Sequence, residues 1–136
     1  MKLLFLSFLA TIVVMAEFIS IDAKKLEELK KDGILIIDIR TPMEWRSSGI
    51  IEGAKPIMFF SPRGEPDVAN FMFELGSLLQ SKDKPFVIYC AHANRTKTLG
   101  RWLNELGFKK VYELEGGIEY GWIDKGYKTV PYKEAK

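Results

Sequence analysis

Apolar residues along this chain fall into short blocks separated by capping and turn residues. Asp22 precedes an apolar spacing at Leu26 and Leu29 and predicts an N-capped helix that stops at Asp32-Gly33. Ile34 to Ile39 is an almost continuous apolar run, the pattern of a parallel strand covered on both faces. Thr41-Pro42-Met43-Glu44 reads as a capping box with proline in the first helical turn, opening a short helix that ends at Gly49. Lys55 to Phe59 suits a strand, and Ser61 to Pro66 is a loop rich in proline, glycine and charge. Val68 to Leu79 carries Phe71, Leu75, Leu78 and Leu79 at helical spacing. Phe86 to Tyr89 is a strand, and Thr96 to Leu106 a helix bearing Leu99, Trp102 and Leu103, with Gly107 just past its end. Phe108 to Leu114 is a further strand, and Gly116-Gly117 introduces a last helix through Ile118 and Trp122.

Strands that alternate with helices require crossover connections, hence a mostly parallel central sheet flanked by helices on both faces. No repeat, low-complexity tract or linker divides the chain, so one α/β domain is expected. Strand-to-helix loops of such a sheet gather at its carboxyl edge, where ligands bind. Cys90 ends one strand there, and the turns at Asp38-Ile39-Arg40 and Glu115-Gly116-Gly117 belong to the same edge.

The first residues change the picture. Lys2 is followed by fourteen uncharged residues, Leu3 to Ala16, closing on Val14 and Ala16. This is the layout of a secretory signal peptide cleaved after Ala16, leaving residues 17–136 as the domain of an exported, periplasmic protein without stable membrane association. A span needs about 20 apolar residues, but an uncleaved membrane-anchoring N-terminus is the alternative. Losing the single Lys2 lowers the formal net charge from +2 to +1, which gives no electrostatic case for nucleic acid or anionic membrane.

The sole cysteine and the sole histidine lie two positions apart in Cys90-Ala91-His92-Ala93-Asn94-Arg95-Thr96. A thiol at a strand-to-helix turn meets free backbone N–H groups and the positive end of a helix dipole, which favour the thiolate, and Arg95 adds a fixed positive charge. The bland alternative is a buried cysteine packing as a small apolar group. An unpaired cysteine in an exported chain is a reactive-thiol signal, and without a Cys-x-x-Cys pair a thioredoxin-like oxidoreductase is disfavoured. Cys90 and His92 supply only two ligands, so neither a zinc site nor any cofactor is expected.

Four segments, taken in order, resemble the rhodanese-like family of sulfurtransferases. Ile37 to Trp45 is similar to its Asp-x-Arg-x-x-x-Glu-aromatic segment, and Gly49-Ile50-Ile51-Glu52-Gly53-Ala54 to its Gly-His-Ile-Pro-Gly-Ala. Cys90 to Arg95 is similar to its active loop, and Leu114-Glu115-Gly116-Gly117 with Trp122 and Gly126 to its closing Gly-Gly…Trp…Gly. The likeness spans residues 37 to 126. Ile50 replaces the usual histidine, Glu52 the proline, and Ala93 a frequent glycine. Related phosphatases use Cys-x5-Arg; here Arg95 gives Cys-x4-Arg and the next position is Thr96, so the count favours sulfur.

The resemblance implies a sulfurtransferase that moves sulfane sulfur from a donor such as thiosulfate or a persulfide to cyanide, a thiol or a protein cysteine, through a Cys90 persulfide. The N–H groups from Ala91, His92, Ala93, Asn94, Arg95 and Thr96 would cradle the transferred sulfur, and Arg95 would hold the anionic donor. His92 has three open readings: tuning the thiolate, binding an anion, or standing as a polar residue at the pocket mouth. Asp38 and Arg40 read as a structural ion pair, Arg46 as a residue of the entrance, Lys97 as solvated, and Trp45, Phe59 and Phe60 as either a pocket rim or core. The rival readings are a non-catalytic sulfur-carrier or protein-binding module and, less favoured, a phosphatase of the same fold.

Overall fold

The computed structural model describes residues 10–13 and 15–134. Strands β1 (Glu17–Ile21), β2 (Leu35–Asp38), β3 (Lys55–Pro56), β4 (Phe86–Tyr89) and β5 (Lys110–Leu114) form one sheet in the order β1-β5-β4-β2-β3, parallel at every pairing. Helices α1 (Ala23–Lys31), α2 (Pro42–Ser48), α3 (Val68–Leu79) and α4 (Asn94–Glu105) lie between them, and a π-helical turn, Glu119–Ile123, follows β5. The expected α/β architecture is the observed one.

Period-two alternation sorts the strand residues into two cores. Phe86, Ile88 and Cys90 join Phe71, Leu75 and Leu79 of α3 and Leu99 and Leu103 of α4 on one face. Val87 and Tyr89 join Leu26 of α1 with Ile118 and Trp122 of the final turn on the other. Helices therefore cover both faces, as near-continuous apolar strands demand.

Local capping sets several boundaries. The Asp22 side chain accepts a hydrogen bond from the Lys25 N–H at 2.8 Å, starting α1. Thr41 and Glu44 form the reciprocal box that starts α2. In α3 the buried stripe is Phe71, Leu75 and Leu79, while Leu78, expected with them, is turned about 100° away and stays 40% exposed.

Other boundaries shift. β3 keeps only two of its five expected residues, because Pro56 has no N–H to donate, although Ile57 and Phe59 still donate to Asp38 and Ile39 carbonyls. α4 begins at Asn94, two residues early, and the last segment winds as a π turn instead of an α-helix. β1 had no counterpart in the sequence expectations. It is held by in-register parallel pairing with β5, from Glu17 opposite Lys110 to Ile21 opposite Leu114. Gly100 of α4 makes room for it, since a Cβ there would fall 2.3 Å from the Phe18 ring.

Much of the expected signal peptide, residues 1–9 and 14, lies outside the described residues. Among the described residues, no helix is long and apolar enough to cross a membrane.

Candidate active site

β4 delivers Cys90 to the carboxyl edge of the sheet, and α4 starts four residues later. Between them the chain turns through Ala93, whose φ of 66° and ψ of 13° are left-handed. For an L-residue this conformation costs on the order of 1–2 kcal/mol. The turn aims the start of α4 back over the strand end. Among the described residues, no hydrogen bond takes up the N–H groups of Ala91 through Thr96, so six backbone donors cluster around the loop.

The loop is fixed from behind by the turn after β5. Ile118 N–H donates to the Cys90 carbonyl at 2.9 Å and Glu119 N–H to the Ala91 carbonyl at 3.1 Å. Gly117 makes this approach possible: at φ 67° its missing Cβ would lie 2.3 Å from the Ala91 oxygen. The Gly-Gly pair is thus a backbone clamp on the cysteine loop. The Cys90 side chain is itself buried, 1% exposed, and its Sγ lies 3.9 Å from Thr96 Oγ1.

Arg95 forms a bidentate pair with Glu44 of α2, Nη1 to Oε2 at 2.9 Å and Nη2 to Oε1 at 2.6 Å. Burial alone would push the Glu44 carboxyl up, but hydrogen bonds from Arg95 and the Thr41 N–H outweigh it and hold the group at about 2. The same Glu44 hydrogen bonds, against burial, hold the Arg95 guanidinium above its ordinary value, and the Cys90 sulfur adds to the effect. The Glu44 of the capping box thereby also orients the arginine of the cysteine loop.

An open groove of about 560 Å³ lies beside this pair, lined among others by Thr41, Met43, Glu44, Phe60, Asn94 and Arg95. Cys90 is absent from its lining. Of the aromatic residues weighed as a rim, Phe60 lines the groove, whereas Trp45 and Phe59 are buried. Arg46, expected at the entrance, instead pairs with Glu134 of the C-terminal segment and does not line the groove. His92 sits half-exposed, paired through Nε2 with Glu119 and stacked on Tyr120 at 4.6 Å between ring centroids.

Asp38 and Arg40 are both buried. Arg40 Nη2 donates to Asp38 Oδ2 at 2.7 Å and to the Gly49 carbonyl at 2.7 Å, and Nη1 donates to Ser48 Oγ at 2.6 Å. The set ties β2 to the end of α2. Tyr89 joins it from β4: burial first, then the Asp38 charge, pushes its phenol well above the ordinary range, and its oxygen accepts the Ile51 N–H at 3.1 Å.

Sequence reasoning missed Glu113, a carboxylate 1% exposed in the middle of β5. It accepts from Ser20 Oγ at 2.6 Å, Thr96 Oγ1 at 2.5 Å and Lys97 Nζ at 2.9 Å. Lys97, expected to be solvated, is therefore anchored. The available signal was a lone acid inside the run Val111-Tyr112-Glu113-Leu114. Among the described residues, no group of three or more His, Cys, Asp or Glu side chains is arranged to hold a metal ion.

Comparison with known proteins agrees with this geometry. The family model described as Rhodanese-like domain matches residues 22–124. The chain is 32% identical to a protein named thiosulfate sulfurtransferase GlpE from Pseudoalteromonas translucida, over 71% of this chain and 80% of that protein. It is 35% identical to the tRNA uridine(34) hydroxylase of Pelagibacter ubique, over 72% of this chain but only 30% of that enzyme. Among solved structures, a rhodanese-related protein from Thermoplasma volcanium superposes with a TM-score of 0.59 at 29% identity, covering 84% of this chain and 99% of that one. A Rhodopseudomonas palustris protein of unknown function, titled a possible tyrosine phosphatase, gives 0.60 at 27% identity with 85% of each chain covered.

Proposed function

This chain belongs to the rhodanese-like domain family, and from that premise we propose that it is a sulfurtransferase using Cys90 as its sulfur carrier. The observation that carries the reading is the sole cysteine at the end of β4, beneath a turn whose backbone N–H groups are unspent. The relatives named thiosulfate sulfurtransferase support thiosulfate as a donor.

The Cys90 thiolate attacks the sulfane sulfur of thiosulfate. A new S–S bond forms, the old one breaks, and sulfite leaves with its electron pair. Cys90 then bears a persulfide whose outer sulfur carries the negative charge, which the N–H groups of residues 91–96 stabilise as an oxyanion hole stabilises oxygen. A thiophilic acceptor (cyanide, a thiol or a protein cysteine) next attacks the outer sulfur and releases the Cys90 thiolate. Dividing one transfer into two displacements is covalent catalysis.

Arg95 assists the anionic donor. A guanidinium has five N–H donors, and Glu44 engages two of them in the resting pair, which leaves three for a donor in the groove. The tight loop also weighs against a phosphatase reading of this chain, because Thr96 stands where Cys-x5-Arg chemistry needs arginine and its hydroxyl is engaged by Glu113.

Thiosulfate-to-cyanide turnover tests this reading, with mass spectrometry for one added sulfur. Cys90→Ser should abolish both signals. Arg95→Ala should lower the efficiency with thiosulfate by roughly ten- to a hundredfold, the value of a charge-assisted contact, and by less with an uncharged persulfide donor. Undiminished turnover in Cys90→Ser sinks the proposal. A wild type that acquires the sulfur without turning over favours the carrier module instead. Export with cleavage after Ala16 belongs to the same reading; a chain recovered from a Gram-negative host still beginning at Met1, in the membrane pellet, overturns it.

A further inference from the structure

Glu113 takes no part in that chemistry, yet its position is costly. A carboxylate in the centre of a sheet loses its hydration and is retained only where hydrogen-bonded partners replace water. Val111 and Glu113 share one face of β5, the face that α4 covers, and Cys90 belongs to the core on that same face. β1 supplies Ser20, directly in register with Glu113, and α4 supplies Thr96 and Lys97. On the β4 side the neighbour in register is the apolar Ile88. Among the described residues, the charged groups placed against the pair Glu113–Cys90 are Lys97 and Arg95 of α4, with Glu44 of α2 behind Arg95.

The hydroxyl of Thr96 has one proton, and the short bond to Glu113 Oε2 consumes it. Toward Cys90 Sγ, 3.9 Å away, Thr96 then presents only a lone pair. A lone pair is a partner for an S–H group and a poor neighbour for a thiolate. The Glu113 charge, one residue further back, acts in the same direction as any like charge near an ionising group.

We propose that Glu113, acting through Thr96, is a positioning residue that holds resting Cys90 towards the protonated thiol and so opposes the loop amides and Arg95. The inference rests on the reading of Cys90 as the nucleophile. Its consequence differs between the two states of the carrier. The free sulfur pays for thiolate formation against the Thr96 lone pair. In a persulfide the inner sulfur is uncharged and the negative charge sits on the outer atom, beyond Thr96, so the opposition falls mainly on the unloaded site. Glu113 thus disfavours the free thiolate relative to the loaded carrier and limits its reaction with indiscriminate electrophiles.

The rate of Cys90 alkylation by iodoacetamide, followed against pH and scaled to each variant's own high-pH plateau, tests this. The plateau absorbs differences in access to the buried sulfur; the position of the profile reports the charge balance. Glu113→Gln should move the profile to lower pH and raise the scaled rate near pH 6 by roughly three- to tenfold. Lys97→Met removes the counter-charge and should move it the other way, by less, because the Lys97 side chain is 50% exposed. A purely structural role would not give opposite signs. A Glu113→Gln profile that coincides with wild type or moves to higher pH overturns the proposal, as does a common direction for both variants. Should Glu113→Gln fail to fold by circular dichroism, Lys97→Met decides alone: an unmoved or lowered profile overturns. Alkylation requires neither donor nor acceptor, so the result stands or falls separately from sulfur transfer.

Discussion

Two carboxylates are buried on this one sheet, Asp38 at the end of β2 and Glu113 within β5, and they are satisfied in opposite ways. Asp38 is met by the backbone N–H, Nε and Nη2 of Arg40, which also donates to Ser48 and Gly49. Asp38, Arg40 and Gly49 are buried and Ser48 is half-buried, so the set acts as a clamp between β2 and α2. Glu113 is met by three residues from two elements: two are rotatable hydroxyls and the third is a half-exposed ammonium. One of its members, Thr96, also lies 3.9 Å from the cysteine sulfur. Burial alone therefore says little about what an acid does. The identity and freedom of its donors decide whether it locks structure or tunes chemistry.

The comparison can be broken most directly at Asp38. Asp38→Ala strands the Arg40 guanidinium in the core, and removal of one partner of a buried pair costs about 3–5 kcal/mol. Urea unfolding should show that loss, while the scaled alkylation profile of the folded fraction stays that of wild type. A loss below about 1 kcal/mol, smaller than a typical buried hydrogen bond to a charge, would show that the clamp is not one.

Glu44 is intermediate, part-buried and shared between the cap of α2 and Arg95. Its carboxyl lies at about 2 against an ordinary 4.5. An acid depressed on folding contributes stability that is fully present above its unfolded value and is lost as pH falls through its folded value. The difference in thermal midpoint between wild type and Glu44→Gln should therefore be constant above about pH 5 and shrink steadily between 4.5 and 2. A difference independent of pH over that window would remove Glu44 from the electrostatics of the loop.

The smallest effect belongs to Ala93. Glycine tolerates the left-handed turn that alanine adopts at φ 66°, but it also gains freedom in the unfolded chain. The net gain of Ala93→Gly should be about 0.5–1 kcal/mol, read as a raised urea midpoint with an unchanged slope. A loss of stability would mean that the Ala93 methyl, 2% exposed, contributes more by packing than the turn costs.

What could be read from the chain was what is local. The capping box at Thr41, the stripe from Phe71 to Leu79, the strand Phe86–Tyr89 and the cysteine loop each announce themselves within a dozen residues, and each formed close to where its pattern placed it. β1 did not, because its place depends on pairing with β5 across more than ninety residues. The same limit hid the pairing of Arg95 with Glu44, fifty-one positions away, and of Arg46 with Glu134, eighty-eight away. Glu113 was visible as an acid among apolar neighbours, but its meaning required Ser20 and Thr96 to be brought to it by the fold.

The depth of Cys90 carries a consequence for which atom an incoming nucleophile can strike. A persulfide offers two electrophilic sulfurs, and attack at the inner one would yield a mixed disulfide and discard hydrosulfide. With Cys90 1% exposed beneath its loop, the inner atom of the proposed persulfide would be screened. The outer atom would stand about 2.05 Å further along the S–S bond. In the proposed carrier, burial would thereby become regiochemical control: an acceptor would be left the atom whose departure regenerates the protein unchanged.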